Sequence, residues 1–226
     1  MLESRAKRKK GRILKDIFLI LVSSFVITIA LIISWLATIQ LPDFKNFENR
    51  NIANSTKIYD RTGKIVLYNI HDNVRRTAVP IEEISKHIQD ATISIEDAHF
   101  YEHFGFRPTS FIRAAIANIT SASYSQGGST INQQVIKNAL KKKKKTISRK
   151  LKEIILSIKL DMQLPKKSIL GIYLNESPYG GTIYGVEEAS LTYFNKMAKD
   201  VTITEAAYLA ALPQAPTYYS PYGKNP

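Results

Sequence analysis

The chain has 226 residues, a formal net charge of +13 and 44% apolar residues, enough for one sizeable domain with a packed core or for two small ones. A charge that high calls for an anionic partner: nucleic acid, an anionic membrane surface or a phosphorylated substrate. There is no cysteine, which excludes a disulfide and a thiolate metal site.

Residues 1–16, MLESRAKRKKGRILKD, hold seven Lys/Arg and two acids and form a basic tail. Residues 17–39, IFLILVSSFVITIALIISWLATI, are 23 in a row without a charge. At about 1.5 Å per residue a helix of that length reaches roughly 35 Å, more than a hydrocarbon core of about 30 Å. A signal peptide has a shorter apolar region and ends at small residues, and no such cleavage site follows Ile39. An uncleaved, single-pass transmembrane helix is therefore expected. The positive-inside rule keeps the basic tail in the cytoplasm and puts everything beyond about Gln40 outside the cytoplasmic membrane. There the anionic partner would be lipid headgroups or lipid-linked phosphates, and nucleic acid is excluded.

Residues 40–56 are polar and Asn-rich, a stalk, and Lys57–Ile70 reads as a β-hairpin about Asp60-Arg61-Thr62-Gly63. Stalk and hairpin together occupy 40–78, and a mainly α domain follows over 79–226. Its first helix is expected in PIEEISKHIQDATISIED, with Pro80 in the first turn, Glu82 and Glu83 favouring the helix dipole, and apolar residues at 81, 84, 88, 91 and 95. Further helices are expected in TSFIRAAIANITSA, in STINQQVIKNAL after Gly127-Gly128, in TISRKLKEIILSIKLDMQL up to Pro165, in KKSILGIYLN, in VEEASLTYF and in TEAAYLAAL. SPYGGTIYG reads as a loop rich in Gly and Tyr.

Four stretches carry chemistry. In SIEDAHFYEHFG, Glu96, Phe100 and His103 would share one helical face at i, i+4, i+7. A carboxylate among rings that exclude water is tuned toward proton transfer at neutral pH. Taken alone, the stretch reads rather as a helix end with solvated acids and a half-buried aromatic cluster. His99 and His103 at i, i+4 have the spacing of zinc ligands, but the Glu lies on the wrong side of the first His for the metalloprotease pattern. QGGSTINQQ opens a helix with two glycines, Ser129 and Thr130, which suits an anion at the helix N-terminus or an ordinary cap. Residues 141–152 hold eight Lys or Arg in twelve positions, either a solvated face or a wall that grips a diphosphate. On the helix beginning near Thr146, Ile147, Leu151, Ile155 and Ile158 would form the apolar stripe, with Arg149 and Glu153 paired on the opposite side. The fourth stretch puts Asn175 at a helix end before the Gly-Tyr loop, as a C-cap or a substrate wall.

In this order, behind an apolar segment, EDAHFYEHFG, GGSTINQQ, RKLKE, KKSILGIYLN and TEAAYLAALPQAP closely resemble the peptidoglycan glycosyltransferases, glycosyltransferase family 51. Members occur as monofunctional enzymes and as the N-terminal module of bifunctional class A penicillin-binding proteins. The resemblance runs from about residue 57 to 222. It implies a lysozyme-like, mainly α, two-lobed fold with a cleft between the lobes. It implies that Glu96 is the catalytic base and Glu153 the second cleft carboxylate. Ser129, Thr130, Gln133 and Gln134 would line the cleft, and Lys137, Lys145, Arg149, Lys150 and Lys152 would lie near the donor diphosphate. It further implies a divalent cation, Mg2+ or Mn2+, with Asp97 as its candidate ligand. The substrate would be lipid II, polymerised into β-1,4 glycan strands by inverting displacement, with the bilayer and cell-wall assembly proteins as further partners. Two departures stand out: Lys145 replaces the usual Arg, keeping the charge and losing the bidentate fork, and Arg107 stands where many members have Asp. A lysozyme-like hydrolase and a non-catalytic cell-wall scaffold are the competing readings. The hydrolase needs neither anchor nor cation cluster, and the scaffold needs no pair of glutamates. The sequence has no SDN or KTG pattern, and its only SxxK, Ser4 to Lys7, falls in the basic tail, so no transpeptidase is read here. The chain stops at GKNP, inside what the family continues, as a piece of a longer bifunctional protein would.

Overall fold

The computed structural model describes residues 15–28, 30–31, 34, 38, 56–62, 66–70, 75–110, 113, 128–140 and 146–214. The stalk at 40–55, most of TSFIRAAIANITSA, the lysine run 141–145 with Lys145, and the segment after residue 214 lie outside them. The chain forms two compact units, Met1–Gln40 and Leu41–Pro226.

In the first unit residues 15–28 are helical, and their large apolar side chains, among them Ile17, Phe18, Leu19, Leu21 and Phe25, are exposed. No helix among the described residues is long and apolar enough to cross a membrane, because much of 29–39 lies outside them.

The second unit begins with the expected hairpin. Strand β1 (Thr56–Tyr59) pairs antiparallel with β2 (Val66–Ile70), Thr56 opposite Ile70, with an irregularity between Ile58 and Tyr59. A second sheet departs from expectation. Strand β3 (Arg75–Arg76) runs parallel to β5 (Ile183–Tyr184), which pairs antiparallel with β4 (Pro178–Gly180), in the order β3-β5-β4. SPYGGTIYG is thus a small hairpin rather than a loop. Strands of two and three residues are too short to show a period-2 pattern. Their partners, moreover, lie about a hundred positions apart: Arg75 Nη2 and Thr77 Oγ1 both donate to the buried Glu188, at 3.0 and 2.8 Å.

The helices are α1 (Lys86–Glu96), α2 (Ile131–Ala139), α3 (Ile147–Gln163), α4 (Lys166–Glu176), α5 (Val186–Phe194) and α6 (Ile203–Ala211). Helix α1 packs on α6, and α2 packs on both α3 and α4. Ile88, Phe100, Ile131, Val135, Ile136, Leu160, Leu170, Leu174 and Leu209 fill the core without solvent exposure.

Three sequence expectations are corrected here. The stretch from Pro80 is a 3-10 turn (Ile81–Glu83), an extended Ile84 and then α1, rather than one helix. Ser85 starts α1 because its side chain accepts from Ile88 N–H, a cap that outweighs the Pro80 signal. Helix α1 then stops at Glu96. Asp97 is extended (φ −159°, ψ 73°) and turns follow, so Glu96, Phe100 and His103 share no helical face. On α3 the expected apolar stripe is not the buried one. Leu151 and Ile158 are exposed, while Glu153, Leu156, Ser157 and Leu160 face inward. Helical periodicity correctly put Glu153 opposite Leu151 and Ile158. Neighbouring elements, not hydrophobicity, chose which face to bury.

Candidate active site

Glu96 is the last residue of α1, and its position follows from how the next ten residues are clamped. Asp97 is 6% exposed. Its Oδ2 accepts from Ile131 N–H at 3.1 Å and lies 2.8 Å from His103 Nε2. One carboxylate oxygen therefore ties the end of α1 to the start of α2 and to the following turn. Thr130 caps α2 in a reciprocal box: Gln133 N–H donates to Thr130 Oγ1 at 3.3 Å, and Thr130 N–H donates to Gln133 Oε1 at 3.0 Å. The Thr130 hydroxyl also donates to Gly105 O at 2.7 Å. Gly105 has φ +77°, and a Cβ there would sit 2.2 Å from Ser157 O. Only glycine lets this turn lie against the backbone of α3.

The clamp brings Glu96 to α2, where Gln134 Nε2 donates to Glu96 Oε2. Burial pushes the Glu96 carboxyl above the usual carboxylate range. The Gln134 hydrogen bond, the Tyr173 hydroxyl and the Lys137 charge pull it back, and Asp97 adds slightly to the rise. Tyr173, 1% exposed on α4, faces Glu96 outside hydrogen-bond geometry, so Glu96 Oε1 and Tyr173 Oη are both left without a partner. Burial likewise raises the Tyr173 hydroxyl well above its ordinary range, so it stays protonated. One carboxylate oxygen is thus held and the other is available to take a proton.

The cations gather beside it. Thr146 caps α3 by accepting from Arg149 N–H at 3.2 Å. Glu153, buried one turn on, forms ion pairs with Arg149 Nε at 3.1 Å and Lys150 Nζ at 3.7 Å. Lys150 Nζ donates to Ser129 Oγ at 2.8 Å. Burial pulls the Lys150 ammonium below its usual range, Glu153 opposes that, and the neighbouring charges of Lys137 and Arg149 reinforce it. A buried ion pair is weak evidence for stability. Arg149 and Lys150 both pair with Glu153, and Lys137 adds a third positive charge that acts on Lys150 and Glu96.

Of the residues singled out from the sequence, the fold brings together Glu96, Ser129, Gln134, Lys137, Arg149, Lys150 and Glu153. Thr130 and Gln133 are buried in the α2 cap. Asn175 is buried too: its Oδ1 accepts from Val79 N–H at 3.0 Å, and its Nδ2 donates to Val79 O and Gly171 O, both at 2.9 Å. It bolts the chain entering from β3 onto α4. Lys152 is exposed on another face of α3. Tyr173 was missed, because a tyrosine inside an apolar helix reads as core and nothing local shows that it faces a carboxylate 77 residues away.

Asp97, the expected metal ligand, is committed to a helix cap and a histidine, and Glu153 is bracketed by cations. No group of three or more His, Asp or Glu among the described residues is arranged to hold a metal ion. These side chains do not fit a divalent cation by themselves.

A hollow of about 260 Å³ opens next to Glu96, lined by the turn after α1, by Arg107, Ser110 and Arg113, and by Gly128–Thr130. Ser129 and Glu96 border both the hollow and the cation cluster.

The family described as Transglycosylase matches residues 63–226. Among curated proteins the chain is similar to penicillin-binding protein 1A of Aquifex aeolicus (strain VF5), 40% identical over 183 residues, 81% of this chain and 25% of that protein. It is similar to penicillin-binding protein 1F of Bacillus subtilis (strain 168), 38% identical over 216 residues, 95% of this chain and 29% of that protein. A third relative is penicillin-binding protein 1A of Vibrio cholerae, 37% identical over 182 residues, 80% of this chain and 22% of that protein. The chain thus spans about a quarter of the length of the curated relatives it matches.

Proposed function

This chain belongs to the transglycosylase family, and from that premise we propose that it is a peptidoglycan glycosyltransferase which polymerises lipid II. One observation carries the reading. A desolvated carboxylate, Glu96, has one oxygen held by Gln134 and the other unpartnered, beside Lys137 and the Arg149 and Lys150 that pair with Glu153. A base and a bound diphosphate are the two things that displacement at a sugar–diphosphate carbon needs.

Glu96 takes the proton from the 4-hydroxyl of the acceptor GlcNAc. The freed oxygen attacks the anomeric carbon of the donor MurNAc on the face opposite the diphosphate, forming the new C–O bond as the bond to the diphosphate breaks. One displacement inverts the centre and leaves a β-1,4 link. Negative charge develops on the departing diphosphate. Lys150, Arg149 and Lys137 stabilise it, with Lys145 as a further cation of the same stretch. Glu153 keeps Arg149 and Lys150 aimed and partly neutralised until the anion arrives. Gln134 fixes the rotamer of the base.

A lipid-linked diphosphate sits in a bilayer, and the net charge of +13 suits such a substrate. We place the catalytic unit outside a bacterial cytoplasmic membrane, anchored through residues 17–39. The exposed apolar side chains of 15–28 support that reading. The deciding experiment is a polymerisation assay on labelled lipid II. Elongated, hydrolase-sensitive glycan is expected, and absence of polymer from folded protein would defeat the reading. Cleavage of preformed glycan instead would favour a hydrolase.

A further inference from the structure

Three buried polar atoms gather at the inner side of the base without a hydrogen bond among the described residues: Glu96 Oε1, Tyr173 Oη and Ser177 Oγ. Tyr173 is the middle one. Glu96 and Ser177 both lie close enough to act on its hydroxyl, and neither is aligned to bond it. Tyr173 and Ser177 are each 1% exposed and stand four residues apart, on one face at the end of α4. Their backbone is fixed: Ser177 N–H donates to Tyr173 O at 3.0 Å, and Gly185 N–H donates to Ser177 O at 3.0 Å. Buried polar groups are nearly always paired, so three unmade bonds side by side call for a reason. The other groups that face the carboxylate have set tasks. Gln134 Nε2 holds Oε2, Lys137 acts by its charge from α2, Asp97 adjoins along the chain, and Tyr179 packs close by from β4.

A general base changes state in every cycle. As a carboxylate Glu96 only accepts hydrogen bonds, and the acid it becomes has one to donate. Gln134 Nε2 is a donor and serves the charged form alone. Tyrosine and serine hydroxyls both donate and accept, and they change role by turning one O–H. Burial keeps the Tyr173 hydroxyl protonated throughout. We propose that Tyr173, backed by Ser177, is a positioning residue that serves Glu96 in both protonation states, donating to Oε1 of the carboxylate and accepting from Oε1 of the acid. In the first state the Tyr173 O–H points at Glu96. When the O–H bond of the acceptor breaks and its proton arrives on Oε1, the new O–H donates to Tyr173 Oη, and the Tyr173 proton turns to Ser177 Oγ. No covalent bond of Tyr173 or Ser177 is made or broken. This rests on the glycosyltransferase reading above.

The test is the pH dependence of lipid II polymerisation by the full chain, by Tyr173→Phe, by Ser177→Ala and by the double variant, each with a thermal melt. Tyr173→Phe removes one oxygen that is unbonded in the resting fold, so it should melt no lower than the parent. Losing a donor to the carboxylate makes Glu96 hold its proton more tightly, so the acidic limb of kcat/KM should move to higher pH. Losing the acceptor for the acid should lower kcat about tenfold even above that limb, the scale of one hydrogen bond, with KM changed less than about threefold. Ser177→Ala touches the second state alone, so the limb should stay in place while kcat falls about threefold. Because Ser177 acts through Tyr173, the double variant should be no slower than Tyr173→Phe. Parental kcat and limb in Tyr173→Phe would overturn the inference, as would a lowered melt or losses that add in the double variant. A limb that moves while kcat above it stays parental would leave Tyr173 a donor only and overturn the two-state role. A parent chain that makes no polymer at all would instead overturn the glycosyltransferase reading.

Discussion

Glu96 works against its own fold. Burial raises its carboxyl above the usual range, so the neutral form is favoured in the folded state more than in the unfolded chain. The sign follows: any stability it contributes is present at low pH and is lost as pH rises through the raised value. Glu96→Gln removes the buried charge and keeps the size. We expect the variant to melt at neutral pH no lower than the parent, and its turnover of lipid II to fall by roughly 10²-fold or more, the scale of a lost general base. Parental turnover in the folded variant would remove Glu96 from the mechanism. The same shift sets the pH profile. A base must be deprotonated, so the acidic limb of kcat/KM should lie above that of an ordinary carboxylate. Gln134 donates to the charged form and pulls the value down. Gln134→Leu, which removes the donor without admitting water, should therefore move that limb to higher pH. A limb that stays in place would mean that Gln134 does not hold the base. Arg149 offers a contrast of another kind. Its pair with Glu153 is buried, so Arg149→Ala leaves that carboxylate with Lys150 alone and should lower the melt, whereas Arg149→Lys keeps the charge, should melt close to the parent and should still reduce polymerisation by losing the planar fork. Near-parental turnover would return the cluster to a solvated face.

At the scale of elements, three helices are held in register by polar groups that were expected to touch substrate or metal. Thr130, Gln133 and Asp97 close the N-terminus of α2 and join it to the end of α1. Asn175 joins α4 to the segment at Val79. Their chemistry suits both jobs, since a hydroxyl or amide that satisfies a helix end looks in one dimension like one that contacts a ligand. Asp97→Ala would leave Ile131 N–H and His103 without their shared acceptor, and an unmade buried hydrogen bond costs about 1–3 kcal/mol. We expect a lowered denaturation midpoint and, with the Asp97 charge gone, an acidic limb moved slightly to lower pH, opposite in direction to the Gln134 variant. Asp97→Asn keeps one oxygen and should lose less. Gly105→Ala is expected to be worse than either. It places a Cβ 2.2 Å from Ser157 O at φ +77°, and no side chain can yield there because the obstacle is backbone. Helix α3 shows the same priority of site over solvation. It buries Glu153 and exposes Leu151 and Ile158, an orientation that periodicity alone reads backwards.

For the whole molecule, charge and hydropathy run along the chain in one direction: a basic tail, an uncharged stretch, then a unit rich in cations. Protease applied outside spheroplasts should digest the chain beyond Gln40 and spare the N-terminus. Protection of the C-terminal unit would reverse the orientation and separate the site from an extracytoplasmic substrate.

Much of the second unit was legible before any coordinates. The helix openings at Ser129-Thr130 and near Thr146 and the breaker at Pro165 are local signals, and helices whose ends depend on neighbours in the chain can be read from the chain. The order of motifs likewise pointed to Glu96, Glu153, Lys137, Arg149 and Lys150, side chains that the fold brings close to one another. Tertiary structure alone decided the rest. The β3-β5-β4 sheet depends on Arg75 and Thr77 meeting Glu188 from more than a hundred residues away. The end of α1 at Glu96 depends on Asp97 being drawn to the start of α2. The burial of Glu153 depends on which face of α3 meets Gly105 and Ser129. In each case the deciding partner is a polar group brought close only by folding, and neither periodicity nor propensity carries information about groups that far apart.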